Sequence, residues 1–79
     1  MHKRIRKFTV VFEEAEEGGY IVRVPALPGC MTQGNTFEEA RRMARDAIKA
    51  YCASLKKHGE PVPQEGPEII GTISIPLAA

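Results

Sequence analysis

Four side chains of the kinds that bind zinc are present in the sequence: His2, Cys30, Cys52 and His58. Structural zinc sites group such ligands in close pairs along the chain. Here the four residues are spread over most of the 79 positions, and none has a ligand partner at such a spacing. The spacing therefore argues against a metal site, and we expect neither a metal nor any other cofactor.

Cys30 is the residue that most resembles a catalytic nucleophile, because it follows a Pro-Gly turn. A reactive thiol needs a nearby histidine or helix N-terminus to lower its pKa, and the sequence places neither beside Cys30. Paired carboxylates occur in turns or on a polar helix face, where nothing tunes their pKa for acid–base catalysis; they are Glu13-Glu14, Glu16-Glu17 and Glu38-Glu39. No phosphate-binding glycine loop occurs. We therefore predict that the chain is not an enzyme.

The charged residues are balanced in number but unevenly placed. Eleven Lys and Arg against ten Asp and Glu give a net charge of +1, which argues against a general nucleic-acid binder. The chain starts with a basic cluster, and an acidic cluster follows; their members are Lys3, Arg4, Arg6 and Lys7, then Glu13, Glu14, Glu16 and Glu17. The basic cluster is interpreted as a solvated lead-in to a strand, with nucleic-acid contact as the alternative. The glutamates suit a solvated hairpin turn or an acidic patch for a basic partner.

Three strands precede a helix in the predicted order of elements. Residues 7–13 alternate, with Phe8, Val10 and Phe12 on one face, which is typical of a strand with one buried side. A polar turn with two glycines at 16–19 leads to a second strand at 20–24, so the two strands form an antiparallel hairpin. Prolines then interrupt the chain, and a short third strand is expected at 30–33.

The helix has the clearest signals in the sequence. Thr36 is placed as its N-cap, and Glu39 completes a capping box. Gly59 and Pro61 mark its end. The apolar residues fall on one stripe at helical spacing; they are Phe37, Ala40, Ala44, Ala47, Ile48, Tyr51 and Leu55.

A fourth strand is expected at residues 68–75, with Ile69, Ile73 and Ile75 on one face. The order β-β-β-α-β predicts an α+β fold, a mostly antiparallel four-stranded sheet with one helix on one face. The sheet face that the helix leaves uncovered is more apolar than solvation requires, which indicates a docking surface for a partner or a second copy. Its expected members are Thr9, Val11, Ile21, Arg23, Ile70 and Thr72.

We expect one domain over residues 1–79, with its core at about 7–75. No apolar run is long enough to span a membrane, the basic start is not followed by the apolar stretch of a secretory signal, and two cysteines cannot form a disulfide framework. These features predict a cytoplasmic protein.

An ordered set of motifs resembles the HicB-type antitoxin family. It comprises the Gly-Tyr-Ile-Val-Arg-Val-Pro-Ala-Leu-Pro-Gly-Cys run at 19–30, Thr-Gln-Gly-Asn-Thr at 32–36 and Glu-Glu-Ala at 38–40. The pattern continues through the helix to Pro-Val-Pro at 61–63, so the resemblance covers about residues 7–75. Each piece alone is weak, but the ordered set is specific, and it is similar to the HicB-like N-terminal domain in a stand-alone short form.

The resemblance implies a sheet like a truncated ribonuclease H (RNase H) fold without its catalytic carboxylates, with the last strand parallel to the first. It also implies a role in neutralising a small basic HicA-type mRNA-interferase toxin by direct binding, in a homodimer or homotetramer. Ala26 stands where many relatives have an acidic residue. Relatives often carry a C-terminal DNA-binding domain that we do not expect here, so direct DNA binding is not predicted.

Two groups of residues are singled out by this resemblance and by the predicted faces. The first group shapes the fold and consists of Tyr20, Pro25, Pro28, Gly29, Cys30, Gly34, Thr36, Glu39 and Ala40. The second group is expected to contact a protein partner and consists of Val11, Glu13, Glu14, Glu16, Glu17, Ile21 and Arg23. Two other hypotheses remain open: an orphan self-associating scaffold domain, and a weak nucleic-acid-binding module that uses the basic N-terminus.

Overall fold

The computed structural model describes residues 5–66 and 69–78. Its elements are the strands β1 (Val11–Glu14), β2 (Tyr20–Arg23) and β3 (Met31–Gly34), followed by the helix α1 (Phe37–Lys57). The strands form an antiparallel sheet in the order β1-β2-β3. The α+β class is therefore confirmed, although β1 begins at Val11 rather than at residue 7.

The β1–β2 turn depends on two glycines with positive φ, Gly18 (96°) and Gly19 (79°). The Ala15 N–H donates to the Gly19 carbonyl at 3.0 Å and closes the turn. A Cβ atom at residue 19 would lie 2.7 Å from the Gly34 carbonyl oxygen. Glycine is required there for two reasons, the left-handed backbone and the close approach of β3.

The β2–β3 connection folds over a buried leucine. Leu27 is fully buried, and its N–H donates to the Val24 carbonyl at 3.0 Å. The Cys30 N–H donates to the Leu27 carbonyl at 2.9 Å, and the Val24 N–H donates to the Cys30 carbonyl at 3.1 Å. This compact loop carries much of the Pro-Ala-Leu-Pro-Gly-Cys motif and buries the apolar residue at its centre.

Capping interactions define both ends of α1. The Glu39 N–H donates to Thr36 Oγ1 at 3.1 Å, as predicted. The Glu39 carboxylate accepts from the N–H of Asn35 at 3.0 Å, one residue before the expected partner. At the other end Gly59 has φ 71°, and the Glu60 N–H donates to the Leu55 carbonyl at 2.8 Å. The last pair is the long bond of a Schellman ending.

The core lies between one face of the sheet and α1. Val22 and Ala40 are fully buried in it, and a second cluster surrounds Leu27. The helix contacts β3 most closely and β2 less, because Gly34 lets the backbones meet: a Cβ there would lie 2.5 Å from the Ala40 nitrogen. The position of α1 over β3 leaves the β1 side of the sheet less covered.

The expectation of a fourth strand at 68–75 was wrong for the residues that the structure describes. Residues 69–78 form neither strand nor helix, and Glu68 lies outside the described ranges. The isoleucines of this part are largely solvent-exposed, with Ile69 at 98% and Ile73 at 87%. The alternating pattern is present, but no strand of the described residues pairs with it. The four-stranded sheet and its likeness to RNase H are accordingly not confirmed for the described residues.

Candidate protein-binding surface

The sheet face opposite α1 is uncovered and forms the candidate surface, here called the open face. Side chains alternate along a strand, and Phe12, Tyr20 and Val22 pack toward the helix, so their neighbours point away from it. The register aligns these neighbours in two cross-strand rows, Val11–Arg23–Met31 and Glu13–Ile21–Gln33.

The open face is both apolar and charged. Met31 is 61% exposed and Ile21 is 40% exposed, while Val11 is half-buried and Arg23 is exposed. Large apolar side chains that remain exposed beside charged groups are a feature of contact surfaces. The chemistry available here is recognition of a protein surface by apolar contact with a polar surround.

The glutamates of the first hairpin lie at one end of the sheet. Glu13 is on the open face, Glu14 pairs with Tyr20 on the α1 side, and Glu16 and Glu17 are in the turn. All four are exposed, and they surround a depression of about 630 Å³ that also involves Ile21, Gln33 and Asn35. Like charges held this close create a negative potential at the hairpin end. The predicted partner residues Glu13, Glu14, Glu16, Glu17 and Ile21 therefore lie together, whereas Val11 and Arg23 lie in the other row.

Sequence reasoning missed part of the open face and placed other residues on it wrongly. Met31 and Gln33 belong to it, and the alternation of the short third strand was the signal for them. Ile70 and Thr72 do not join the sheet. The backbone N–H of Thr9 donates to the Glu65 carboxylate at 2.8 and 3.2 Å, so this residue contacts the chain beyond α1.

The residues of the family motif lie in the core under the sheet and in the β2–β3 loop, where they hold the strands of the open face in place. Ala40 is fully buried, Cys30 is 5% exposed and Tyr20 contacts Phe37 edge-on at 5.8 Å. The Tyr51 hydroxyl donates to the Pro28 carbonyl at 2.8 Å and ties the β2–β3 loop to α1. Gly29 has φ 79° in the same loop, and Pro25 is half-buried beside it.

Cys30 has the environment of a packed thiol. It lies in the cluster around Leu27, and Cys52 packs against that cluster. Burial, followed by the nearby Cys52, raises the pKa of the Cys30 thiol above its ordinary value of 9.0. A nucleophilic cysteine needs the opposite shift. In the part of the chain that is described, no three His, Cys, Asp or Glu side chains are grouped to hold a metal ion.

A second surface feature, the edge groove, was not foreseen from the sequence. It is a cleft of about 260 Å³ between β1, the residues before it and α1. Its apolar lining comes from both walls, and three arginines stand around it; the residues are Phe8, Val10, Phe12 and Ile48, with Arg6, Arg41 and Arg45. The sequence shows that Arg41 and Arg45 flank the apolar stripe of the helix. It does not show that α1 lies over β3, which leaves the cleft beside β1 open.

The basic start of the chain is described only from Ile5 onward. The Arg6 guanidinium donates to the carbonyls of Val62 (3.3 Å) and Pro63 (3.0 Å), and it also lies over the Phe8 ring at 5.9 Å. Arg6 thus binds residues of its own chain, which favours a role in the start of the first strand over contact with nucleic acid. Lys3 and Arg4 lie outside the described residues.

The three-stranded sheet, the single helix and the uncovered sheet face define a small α+β domain. The profile of a "HicB_like antitoxin of bacterial toxin-antitoxin system" family matches residues 8–74. The chain therefore belongs to the HicB-like antitoxin family, and the resemblance found in its motifs is confirmed.

Relatives of several lineages are similar to this chain. The UPF0150 protein Ta0767 of Thermoplasma acidophilum is 52% identical over 81% of this chain and 93% of its own length. A UPF0150 protein of Synechocystis is 44% identical over 80% of each chain. Antitoxin HicB 1 of Photorhabdus laumondii is 38% identical over 91% of this chain but only 46% of its own length. Among the described residues, no helix is long and apolar enough to cross a membrane.

Proposed function

We propose that this chain is a non-enzymatic antitoxin that acts in the cytoplasm and neutralises a small, basic HicA-type mRNA-interferase toxin by binding it directly. Membership in the antitoxin family supports a toxin partner. The observation that carries the proposal on the structural side is the open face, where exposed Ile21 shares a row with Glu13 near the other hairpin glutamates and exposed Met31 lies in the next row. An apolar contact area with an acidic end complements a small basic protein.

The two parts of the surface have different tasks. The glutamates of the hairpin speed the encounter by long-range attraction, which salt screens. The rows through Arg23 and Ile21 supply the short-range contact that slows dissociation. Because the open face lies opposite α1, a toxin bound there leaves the helix and the edge groove free. Self-association as a homodimer or homotetramer is compatible with this arrangement.

Binding measured by calorimetry with a purified HicA-type toxin tests the proposal at two salt concentrations. The Glu16→Lys/Glu17→Lys variant is expected to weaken binding by roughly tenfold or more at low salt and to flatten its salt dependence. The matched control, Asp46→Lys/Glu60→Lys, makes the same charge change at exposed positions of α1 and the residues after it. Its affinity should stay within about twofold of the starting chain.

A second measurement separates binding from neutralisation. RNA cleavage by the toxin should fall as the chain is added, and the Glu16→Lys/Glu17→Lys variant should require more protein for the same inhibition. Unchanged affinity in that variant would reject the hairpin glutamates as contact or steering residues. Tight binding without any loss of cleavage would reject neutralisation itself. A binding constant for RNA that falls steeply with salt, in the absence of toxin, would favour the nucleic-acid module instead.

A further inference from the structure

The two cysteines of the chain are far apart in the sequence but belong to one apolar cluster of the fold. Cys30 and Cys52 are 22 positions apart, one at the end of the β2–β3 loop and the other in α1. Cys30 is 5% exposed and lies in the cluster with Val24 and Leu27, and Cys52 packs against this cluster from the helix. Both thiols are free. Two free thiols that share a cluster have a redox chemistry that a single packed thiol lacks.

Hydrogen bonds hold the loop and the helix together close to both cysteines. Tyr51 directly precedes Cys52, and its hydroxyl donates to the carbonyl of Pro28 at 2.8 Å. Pro28 stands two residues before Cys30, whose own N–H donates to the Leu27 carbonyl at 2.9 Å. The backbones that carry the two thiols are therefore fixed relative to each other before any reaction. Such fixed proximity replaces a high concentration of the reacting partner.

The two thiols differ in their access to solvent. Cys52 is half-buried, so part of its surface faces solvent, whereas Cys30 is almost fully enclosed. Burial, followed by the nearby Cys52, raises the pKa of the Cys30 thiol. A protonated, enclosed thiol reacts slowly with a reagent in solution. A reagent is therefore expected to meet Cys52 first.

We propose that Cys52 is a thiol-modification site for a low-molecular-weight disulfide such as oxidised glutathione, and that Cys30 resolves the adduct into an internal Cys30–Cys52 disulfide. In the first step the Cys52 thiolate attacks one sulfur of oxidised glutathione, and the other glutathione leaves as a thiolate. In the second step the Cys30 thiolate attacks Sγ of Cys52, and the second glutathione leaves. The chain gives up two electrons and two protons, which end on the two molecules of reduced glutathione.

The second step needs neither a low pKa nor an exposed Cys30, because its target is carried by the same cluster. The product joins the β2–β3 loop to α1 covalently, beside the hydrogen bond from Tyr51 to Pro28. In a reducing compartment thiols reopen the bond, so it persists only while oxidised glutathione is abundant. This inference does not depend on the toxin-binding proposal, because it concerns the isolated chain.

Intact-mass spectrometry of the full chain, incubated with oxidised glutathione at about pH 8 and then alkylated, tests the proposal. The starting chain should lose two hydrogen atoms and yield one peptide pair joined through Cys30 and Cys52. Cys30→Ala should stop as the mixed disulfide of Cys52 with glutathione, because nothing resolves it. Cys52→Ala should keep Cys30 reduced over the same time.

The matched control moves the helix thiol by one position. Cys52→Ala/Ala53→Cys keeps both the number of cysteines and the helix, but position 53 is exposed. This variant should take up glutathione and stop as the mixed disulfide. An internal bond that forms as fast in it as in the starting chain would overturn the proposal, because chance encounter and not packing would then join the thiols.

Three other results for the starting chain would also overturn the proposal: a chain that stays reduced, one that stops at the mixed disulfide, and one that links two copies on a non-reducing gel. A thermal melt adds a structural readout. The oxidised chain should have a Tm on the order of 5–15 °C above that of the reduced chain, since the bond constrains the unfolded state. An unchanged or lower Tm would mean that the bond strains the cluster, against a pair that the fold places ready to react. None of these results bears on toxin binding, so the two proposals fail separately.

Discussion

β1 with the residues before it and residues 69–75, here called the isoleucine segment, have the same period-two pattern but opposite environments. Phe8, Val10 and Phe12 alternate with residues on the other face and pack against the clusters under α1. Ile69 and Ile73 also occupy one face, yet they are almost fully exposed. The difference shows that alternation encodes the capacity to form a strand, whereas burial also requires a sheet edge within reach of the chain.

The largest expected effect contrasts a leucine of the packed body, the sheet and helix with their connecting loops, with a leucine of the exposed residues 69–78. Leu27→Ala removes a fully buried side chain and should lower the free energy of unfolding by about 2–5 kcal/mol. Leu77→Ala alters a side chain that is 85% exposed and lies after the isoleucine segment, so its change should stay within about 0.5 kcal/mol. Urea denaturation of all chains at one protein concentration measures both values. Equal losses in the two variants would contradict the contrast between the regions.

A smaller effect is expected from adding a side chain at Gly34, where the backbones of β3 and α1 meet. Gly34→Ala would put a Cβ atom 2.5 Å from the Ala40 nitrogen and 2.7 Å from its Cα. Since both are backbone atoms, the helix must shift, at a cost of about 1–3 kcal/mol. Gly66→Ala is the control, because no atom lies within 4 Å of its added Cβ. Urea midpoints compare the two, and a neutral Gly34→Ala would show that α1 is not fixed by this contact.

Much of the body was predictable because its signals are local. The turn at Gly18-Gly19, the Thr36 cap and the Gly59 ending depend on residues within a few positions of each other, and the structure places them as expected. Whether residues 69–75 pair with a sheet edge is a long-range property, which their alternation alone does not determine. For the same reason the edge groove was missed, since it follows from the offset of α1 and not from any motif.

The candidate surface was predictable in part. Val11, Ile21 and Arg23 followed from alternation in the first hairpin, and the glutamates followed from their number. Met31 and Gln33 needed the register of β3, which a four-residue strand with a glycine end does not reveal. Met31 and Gln33 extend the contact area of the open face to β3, the strand whose other face α1 contacts most closely.

The smallest expected effect concerns thiol chemistry in the interior of the body. Because the folded state raises the pKa of Cys30 above 9.0, the folded thiol retains its proton where the unfolded thiol ionises. The free energy of unfolding should therefore fall as the pH rises from about 9 toward the folded value, and this contribution is absent at lower pH. The difference between the starting chain and Cys30→Ala isolates the slope from other groups that titrate in alkali.

Reactivity toward a disulfide reagent compares the accessibility of a thiol in the packed body with that of a thiol in the isoleucine segment. In a Cys52→Ala background, Cys30 should react on the order of tenfold or more slowly at pH 8 than a cysteine introduced by Ile70→Cys in a Cys30→Ala/Cys52→Ala chain. Ile70 is 70% exposed, so a cysteine there is open to the reagent. Comparable rates at the two positions would mean that the loop around Leu27 opens readily, and the packed body would then be no better protected than the segment beyond it.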